Sequence, residues 1–449
     1  MKKDTSRKII AITITLMFIS TGFITLSAQK NEYKTIQNKK TLSDETNDNF
    51  FDTKISLLMK IAKFPSLSTC IIKDDQVVFS KGYGYYDIEK QKKATNSTIY
   101  VIASITKTIV GTALMQLWEQ KLFKLDEDVN QYLPFELKNP YFPEVNITFR
   151  MLLSHTSSLN TNTKNAYYWM NFSGDPPFSF FPQPFLEEFL TPDGKYYHED
   201  VWSKKHRPGE HAMYANIGFD IISYLVEIIS DQPFLEYCQK NIFQPLKMYN
   251  TSFNLSTLNI ENVARPYQYF FGRYQPVNKL GYIYGNNFTS PTPYWRMRSY
   301  PAGGLYTTID DLSHFLIAHM NQGIYQNTRI LEKNTVELMH EIRPDNEIGY
   351  GLAWMKKTIT PRVSATGHGG DIMGADTWML HLPEENIGVI YFANGNPVYG
   401  FMPQFRSIAV QLLLFTLFKK AGLNYVFSPN INVQNDDIMF LQPHFNFAK

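Results

Sequence analysis

The feature that most constrains this chain is the placing of its β-forming runs at opposite ends. "LSTCIIKDDQVVFSKGYGYYD", starting at Leu67, holds two runs rich in Ile, Val, Phe and Tyr around the polar turn Lys73–Gln76, a hairpin pattern. Far downstream, between Gly349 and Gly395, "YGLAWMKK", "SATGHGG", "TWMLHLP" and "IGVIYFANG" alternate β-rich stretches with turns, as an antiparallel sheet does. A lone hairpin is marginal in water, so its strands need neighbours. The simplest arrangement is an α+β fold with one antiparallel sheet built from the N- and C-terminal segments. Helices flank that sheet, and a mostly helical subdomain is inserted between its halves.

The middle of the chain reads accordingly. From Ser104 to about Phe123, Ile105, Ile109, Val110, Ala113, Leu114, Leu117, Trp118 and Leu122 recur at helical spacing. "FFDTKISLLMKIAKF", from Phe50, and "NIGFDIISYLVEIIS", from Asn216, are two more helices. "PAGGLYTTIDDLSHFLIAHM", from Pro301, is a Gly-rich turn followed by a helix capped near Thr308, with Asp310 and Asp311 in its first turn. "FRSIAVQLLLFTLFKKAG", from Phe405, closes as a helix ending at Gly422. The aromatic, Pro- and Gly-bearing stretch from Asn160 to Phe185 has no periodicity and reads as a long loop, a lid or wall over one side.

Four basic residues, Lys2, Lys3, Arg7 and Lys8, precede the apolar run "IIAITITLMFISTGFITLSA". That is the pattern of an export signal, with Ser27 and Ala28 as a cleavage site, and its length also suits an uncleaved anchor. The expectation is a body that is exported: secreted, periplasmic, extracellular or tethered to the membrane by its N-terminus. The predicted organisation is a signal peptide or anchor over 1–29, a polar linker over 30–47, one catalytic-type domain over 48–425 and a tail over 426–449. Sequons at Asn96, Asn146, Asn171, Asn250, Asn254 and Asn287 matter only in a host that glycosylates exported proteins.

Composition narrows the class. With 449 residues, 44% hydrophobic and 19% charged, the chain can form one large domain or two moderate ones. The net charge of +2 comes without a concentrated basic block, which argues against a nucleic-acid surface. Cys70 and Cys238 are the two cysteines, too few for a disulfide scaffold. They can pair once or stand as buried thiols, and buried thiols is the reading taken here.

Three short constellations carry chemistry. Ser104 and Lys107 stand i, i+3 at a helix start, which puts both side chains on one face. A serine hydroxyl is a poor nucleophile until a base takes its proton, and a lysine serves as that base only if its surroundings lower its pKa by roughly 3 units, about 4 kcal/mol. Free N–H groups at the helix start can hold a developing oxyanion. The spacing alone is cheap, for Ser27 and Lys30 match it too. Second, Tyr214-Ala215-Asn216 precedes an apolar helix, where a phenol can relay a proton and an amide can bind a carbonyl. Tyr-x-Asn recurs at Tyr284 and Tyr325. Third, "TGHGGDIMGADTW" places His368, Gly369 and Gly370 on a strand edge, where glycines let a ligand approach the backbone.

Taken in order, "SITK", "YAN" and "HGG" resemble the motifs of the class C β-lactamase and penicillin-binding-protein-like serine hydrolases. "ITFRMLLSHTSSL", from Ile147, and "PAGGLYTTIDDL" resemble that family's connecting segments, and the likeness runs from about residue 50 to residue 417. The resemblance implies the β-lactamase/transpeptidase-like fold and a serine hydrolase acting through a covalent acyl-enzyme on an ester or amide: an esterase, a D-amino-acid peptidase or a β-lactamase-like enzyme. It implies Ser104 as nucleophile, Lys107 as base and Tyr214 as proton relay. Asn216, His368, Gly369, Gly370 and Asp371 would bind substrate, with the backbone N–H groups of Ser104 and Asp371 as oxyanion hole. It implies no metal and no organic cofactor, and a small-molecule or peptide substrate as partner.

Some residues depart from the family pattern. His368 replaces a lysine that true β-lactamases use on a substrate carboxylate, which favours esterase or peptidase relatives. Ser158 and Met373 stand where Gly and Pro are usual, and no E-x-x-L-N follows Tyr214, so water activation falls to Tyr214 and Lys107. G-x-S-x-G is absent, against an α/β-hydrolase. His155 reads as a structural loop residue. His206 and His211 lack a further ligand cluster for a metal, and His314 and His319, at i, i+5, lie on different helix faces. The competing readings are a non-catalytic sensor or binding module on the same fold, and a membrane-tethered structural protein without a pocket.

Overall fold

The computed structural model describes residues 36–160, 163, 183–279, 293–343, 346–397 and 403–423. The apolar N-terminal run, most of the stretch read as a lid and the C-terminal tail lie outside these residues. The chain divides into two units, residues 1–54 and residues 55–449. The described part of the first is helical from Ile36.

Helix α1 (Ile36–Ala62) begins inside the stretch read as a polar linker. That stretch has no Gly or Pro to stop a helix, and its Lys, Gln and Glu residues are good helix formers. The predicted hairpin forms as β1 (Ser66–Lys73) and β2 (Gln76–Asp87), turning at Asp74 and Asp75, both at positive φ. After β3 (Lys92–Lys93) and β4 (Tyr100–Val101), a 3-10 turn at Ala103–Ile105 leads into α2 (Thr106–Glu119). The inserted subdomain includes α3 (Phe149–Leu153), α4 (Gln183–Leu190), α5 (Asn216–Ser230), α6 (Phe234–Cys238) and the hairpin β5 (Tyr267–Phe270) and β6 (Arg273–Pro276). Then come α7 (Tyr300–Gly303), β7 (Tyr306–Thr307), α8 (Ile309–Met320), β8 (Ile324–Tyr325), β9 (Thr328–Arg329) and α9 (Lys333–His340). The chain returns as β10 (Met355–Thr360), β11 (Val363–Ile372), β12 (Ala375–Leu382), β13 (Ile387–Ala393) and β14 (Gly395–Pro397), and ends its described part in α10 (Pro403–Lys420).

The two ends meet in one seven-stranded antiparallel sheet of order β10-β11-β12-β13-β1-β2-β3. Its seam is β1 on β13, with Leu67 opposite Ala393 and Ile71 opposite Val389. Helices cover both faces of the sheet. On β13, Gly388 meets Leu316 and Met320 of α8. Tyr391, of opposite parity and so on the other face, bonds Asp376, which pairs with Arg406 of α10. Burial on both faces explains why β13 reads as a continuous apolar run rather than an alternating one. "YGLAWMKK" becomes strand only from Met355, because Tyr350–Trp354 turn in to line the core.

Helix α2 is buried all round from Thr106 to Leu117, as befits a central helix, and its polar side chains find partners inside: the Thr106 and Thr108 hydroxyls donate to the Ala103 and Ile105 carbonyls. Ile109, Val110, Ala113 and Leu114 join Phe219, Ile222 and Leu225 of α5 in the main core. The two cysteines are free buried thiols. Thr308 caps α8, its hydroxyl accepting from the Asp311 N–H, as the sequence indicates.

Candidate active site

The site forms where the start of α2, the start of α5 and strand β11 converge. Ser104 sits in the 3-10 turn ahead of α2, and Ala103 before it adopts φ +45°. The turn is held from both sides. The Ile102 N–H donates to the Leu305 carbonyl at 2.9 Å, and the Thr106 hydroxyl donates to the Ala103 carbonyl at 2.6 Å. Strand β11 presses directly on it: a Cβ on Gly370 would stand 2.3 Å from the Ile102 carbonyl oxygen and 2.4 Å from Thr377 Oγ1. Only glycine fits there. Thr377 locks the contact by donating to the Ile102 carbonyl at 2.8 Å.

Lys107 is fully buried. Its ammonium nitrogen lies 3.1 Å from Ser104 Oγ and 2.5 Å from the Ala302 carbonyl oxygen. It faces the Tyr214 ring, 5.0 Å from the centroid, and the Phe219 ring at 5.6 Å. Burial lowers its pKa to about 7, against a smaller opposing pull from the Asp220 carboxyl. Tyr214 hydrogen-bonds the Ser104 hydroxyl, and burial pushes the phenol above its ordinary range, so it stays protonated at neutral pH. Hydroxyl, amine and phenol therefore form one hydrogen-bonded cluster, and Asn216 stands two residues beyond Tyr214, at the first position of α5.

Behind the cluster lies an aromatic and imidazole wall. His155 Nδ1 accepts from the Ala215 N–H at 3.1 Å, and the ring packs on Tyr214 with centroids 4.3 Å apart. His155 thus holds the Tyr214 segment, the structural role read from sequence. His368 is buried on β11. Its Nδ1–H donates to the Gly369 carbonyl at 2.6 Å, and its Nε2 accepts from the Tyr350 hydroxyl. With both nitrogens engaged and its pKa lowered by burial to about 3, it is a neutral imidazole at physiological pH. The sequence reading gave His368 to the substrate wall; in the structure both of its ring nitrogens have protein partners, the Gly369 carbonyl and the Tyr350 hydroxyl. Gly369 and Gly370 lie on β11; Gly370 faces the Ser104 turn, whereas a Cβ on Gly369 would meet the Trp378 ring. Asp371, read as an oxyanion donor through its backbone N–H, uses its carboxylate elsewhere: it pairs with Arg406 Nη2 at 2.8 Å and accepts from Asn396 Nδ2 at 3.0 Å, fastening the end of β11 to α10.

Other described histidines have partners of their own. His206 and His211 stack at 4.0 Å, and His211 pairs with Glu347 at 2.9 Å. His314 bonds the Leu246 carbonyl, and His319 packs with His340. Among the described residues no group of His, Cys, Asp and Glu has metal-binding geometry.

Four members of the site escaped the sequence reading: Asp220, Ser299, the Ala302 carbonyl and Tyr350. Asp220 alone left a trace, as the one charge within the apolar run "NIGFDIIS".

A sheet built from both chain ends, helices on both faces and a serine–lysine turn beneath the edge of β11 define the β-lactamase/transpeptidase-like fold. The chain belongs to the Beta-lactamase family, whose profile matches residues 51–409. It is 24% identical over 354 residues to Protein flp of Staphylococcus aureus strain MRSA252, covering 78% of this chain and 63% of that protein. The chain thus spans less than two thirds of the length of that curated relative. Among solved structures it is similar to the octameric penicillin-binding protein homologue from Pyrococcus abyssi, with a TM-score of 0.62 and 26% identity over 82% of this chain and 77% of that one. It also shares its fold with the D-amino acid amidase from Ochrobactrum anthropi SV3, solved with D-phenylalanine, at a TM-score of 0.63 and 19% identity, covering 82% and 99%.

Proposed function

We propose that this protein is a serine hydrolase that cleaves an ester or amide through an acyl-enzyme on Ser104. The observation that carries the proposal is the buried Lys107 amine, 3.1 Å from the Ser104 hydroxyl and titrating at about 7. A lysine held there as a solvated surface charge would have no such environment.

The steps follow from the protonation states. Neutral Lys107 takes the Ser104 proton as Oγ attacks the carbonyl carbon. The oxyanion is held by the backbone N–H of Ser104 and by donors on the facing β11 edge. Tyr214, kept protonated by burial, is a relay rather than a base: it passes a proton to the departing alkoxide or amine and recovers one from Lys107. Asn216 orients the substrate amide. Water, deprotonated by the same Lys107–Tyr214 pair, then attacks the acyl carbon and frees Ser104 and a carboxylic acid.

D-amino-acid amides and small esters are the first substrates to try, the former because the amidase of similar fold binds D-phenylalanine. The basic and apolar N-terminal run supports a body working outside the cytoplasm. A fluorophosphonate probe read by intact mass tests the reading. One adduct on Ser104, absent from Ser104→Ala, is the expected result. A wild-type protein that never labels and hydrolyses neither p-nitrophenyl esters nor D-phenylalanine amide would overturn it in favour of a binding module.

A further inference from the structure

Helix α5 buries a carboxyl that none of the steps above uses. Asp220 is fully buried, and both of its oxygens accept from one hydroxyl, Ser299 Oγ, at 2.9 and 2.7 Å. Ser299 is itself buried and stands immediately before α7, the single turn Tyr300–Gly303. That turn presents the Ala302 carbonyl to Lys107 Nζ at 2.5 Å. A four-residue helix is too short to hold itself in water, so something else must fix its start. The path runs from α5 through Asp220 to Ser299, then along one turn to the carbonyl that seats the lysine.

We propose that Asp220, acting through Ser299, is a positioning residue that fixes the Ala302 carbonyl and so aims the Lys107 amine at Ser104. The proposal rests on the reading that Ser104 and Lys107 are the reacting pair. A buried carboxyl is costly to keep unless the geometry it imposes is used. Replacing the Asp220–Ser299 pair with apolar groups would preserve packing and lose only the tether. Lys107 would then keep its burial and lose its seat.

The charged and titratable groups around Lys107 are Asp220 on α5, Tyr214 before it, and His155 and His368, whose titrations Lys107 influences. His155 and His368 are held neutral by burial, so they do not change charge near pH 7. Burial raises the Asp220 carboxyl well above its ordinary range, so its pull on Lys107 is the lesser effect; losing the Ala302 carbonyl as acceptor disfavours the ammonium form and moves the Lys107 titration to lower pH.

The test compares Ser299→Ala, Asp220→Ala and Asp220→Asn with the wild type by two readouts. One is the rate of Ser104 labelling by fluorophosphonate across pH 5 to 9. The other is direct NMR titration of the Lys107 side chain, which needs no catalysis. The alanine variants are expected to label about tenfold or more slowly, as misplacement of a reacting group does, with the Lys107 midpoint moved to lower pH. Asp220→Asn still offers Ser299 an acceptor and should recover most of the rate. Folded alanine variants whose labelling and Lys107 midpoint both match the wild type overturn the proposal. If the wild type fails to label while the Lys107 midpoint still moves in the alanine variants, the hydrolase reading fails and the positioning role stands.

Discussion

The pH dependence of acylation follows directly from the surroundings of Lys107. An exposed lysine, near 10.4, is uncharged at pH 7 in roughly one molecule in 2,500. Burial brings Lys107 to about 7, so about half of the molecules carry the free base at that pH, a gain near a thousandfold. Only the neutral amine can take the serine proton. The labelling rate should therefore fall about tenfold per pH unit below the midpoint and level off above it. The same shift sets a stability trend. The folded pKa lies below the unfolded one, so between about 7 and 10.4 the unfolded chain binds the extra proton, and stability rises with pH across that window. Keeping the amine buried at pH 7 thus costs the fold on the order of 4 kcal/mol. Lys107→Met should lower labelling by about two to four orders of magnitude while raising the melting temperature. Stopped-flow labelling from pH 5 to 9, with thermal melts of both proteins, measures these effects. A flat rate profile, a rate still climbing about tenfold per unit at pH 9, or a Lys107→Met protein that labels normally would refute the argument.

Two further tests probe the frame around the site. Gly370→Ala puts a methyl group 2.3 Å from the Ile102 carbonyl and should push β11 off the Ser104 turn, abolishing labelling while the far-UV spectrum persists; a normally labelling variant would show that the contact relaxes freely. His319 and His381 are buried neutral, with pKa values lowered by burial to about 3 and about 4, and His340 lies well below its ordinary value. Their folded values lie below the unfolded 6.5, so stability should drop as pH falls from about 6.5 toward 4. His381→Leu should flatten the slope of melting temperature against pH in that range, and an unchanged slope would count against it.

Much of this was readable in the chain itself. The β-forming runs at its two ends marked which segments make the sheet, because β-branched and aromatic residues suit a pleated, partly covered surface. The order of "SITK", "YAN" and "HGG" singled out Ser104, Lys107 and Tyr214, which the fold brings together, and i, i+3 spacing already put Ser104 and Lys107 on one helix face. Asp74 and Asp75, Thr308 and Gly422 marked the ends of elements because turns and caps are local. Partners and protonation were decided elsewhere. Periodicity says which side of a helix is buried but not what meets it there. Asp220 and Ser299 are separated by many residues of chain, as are Tyr350 and His368 from Lys107, and no local pattern pairs them. The same holds for the Asp371 carboxylate and its partner Arg406. A lysine becomes a base only when its neighbours exclude water, and that exclusion belongs to the packed core around α2, not to any residue in it.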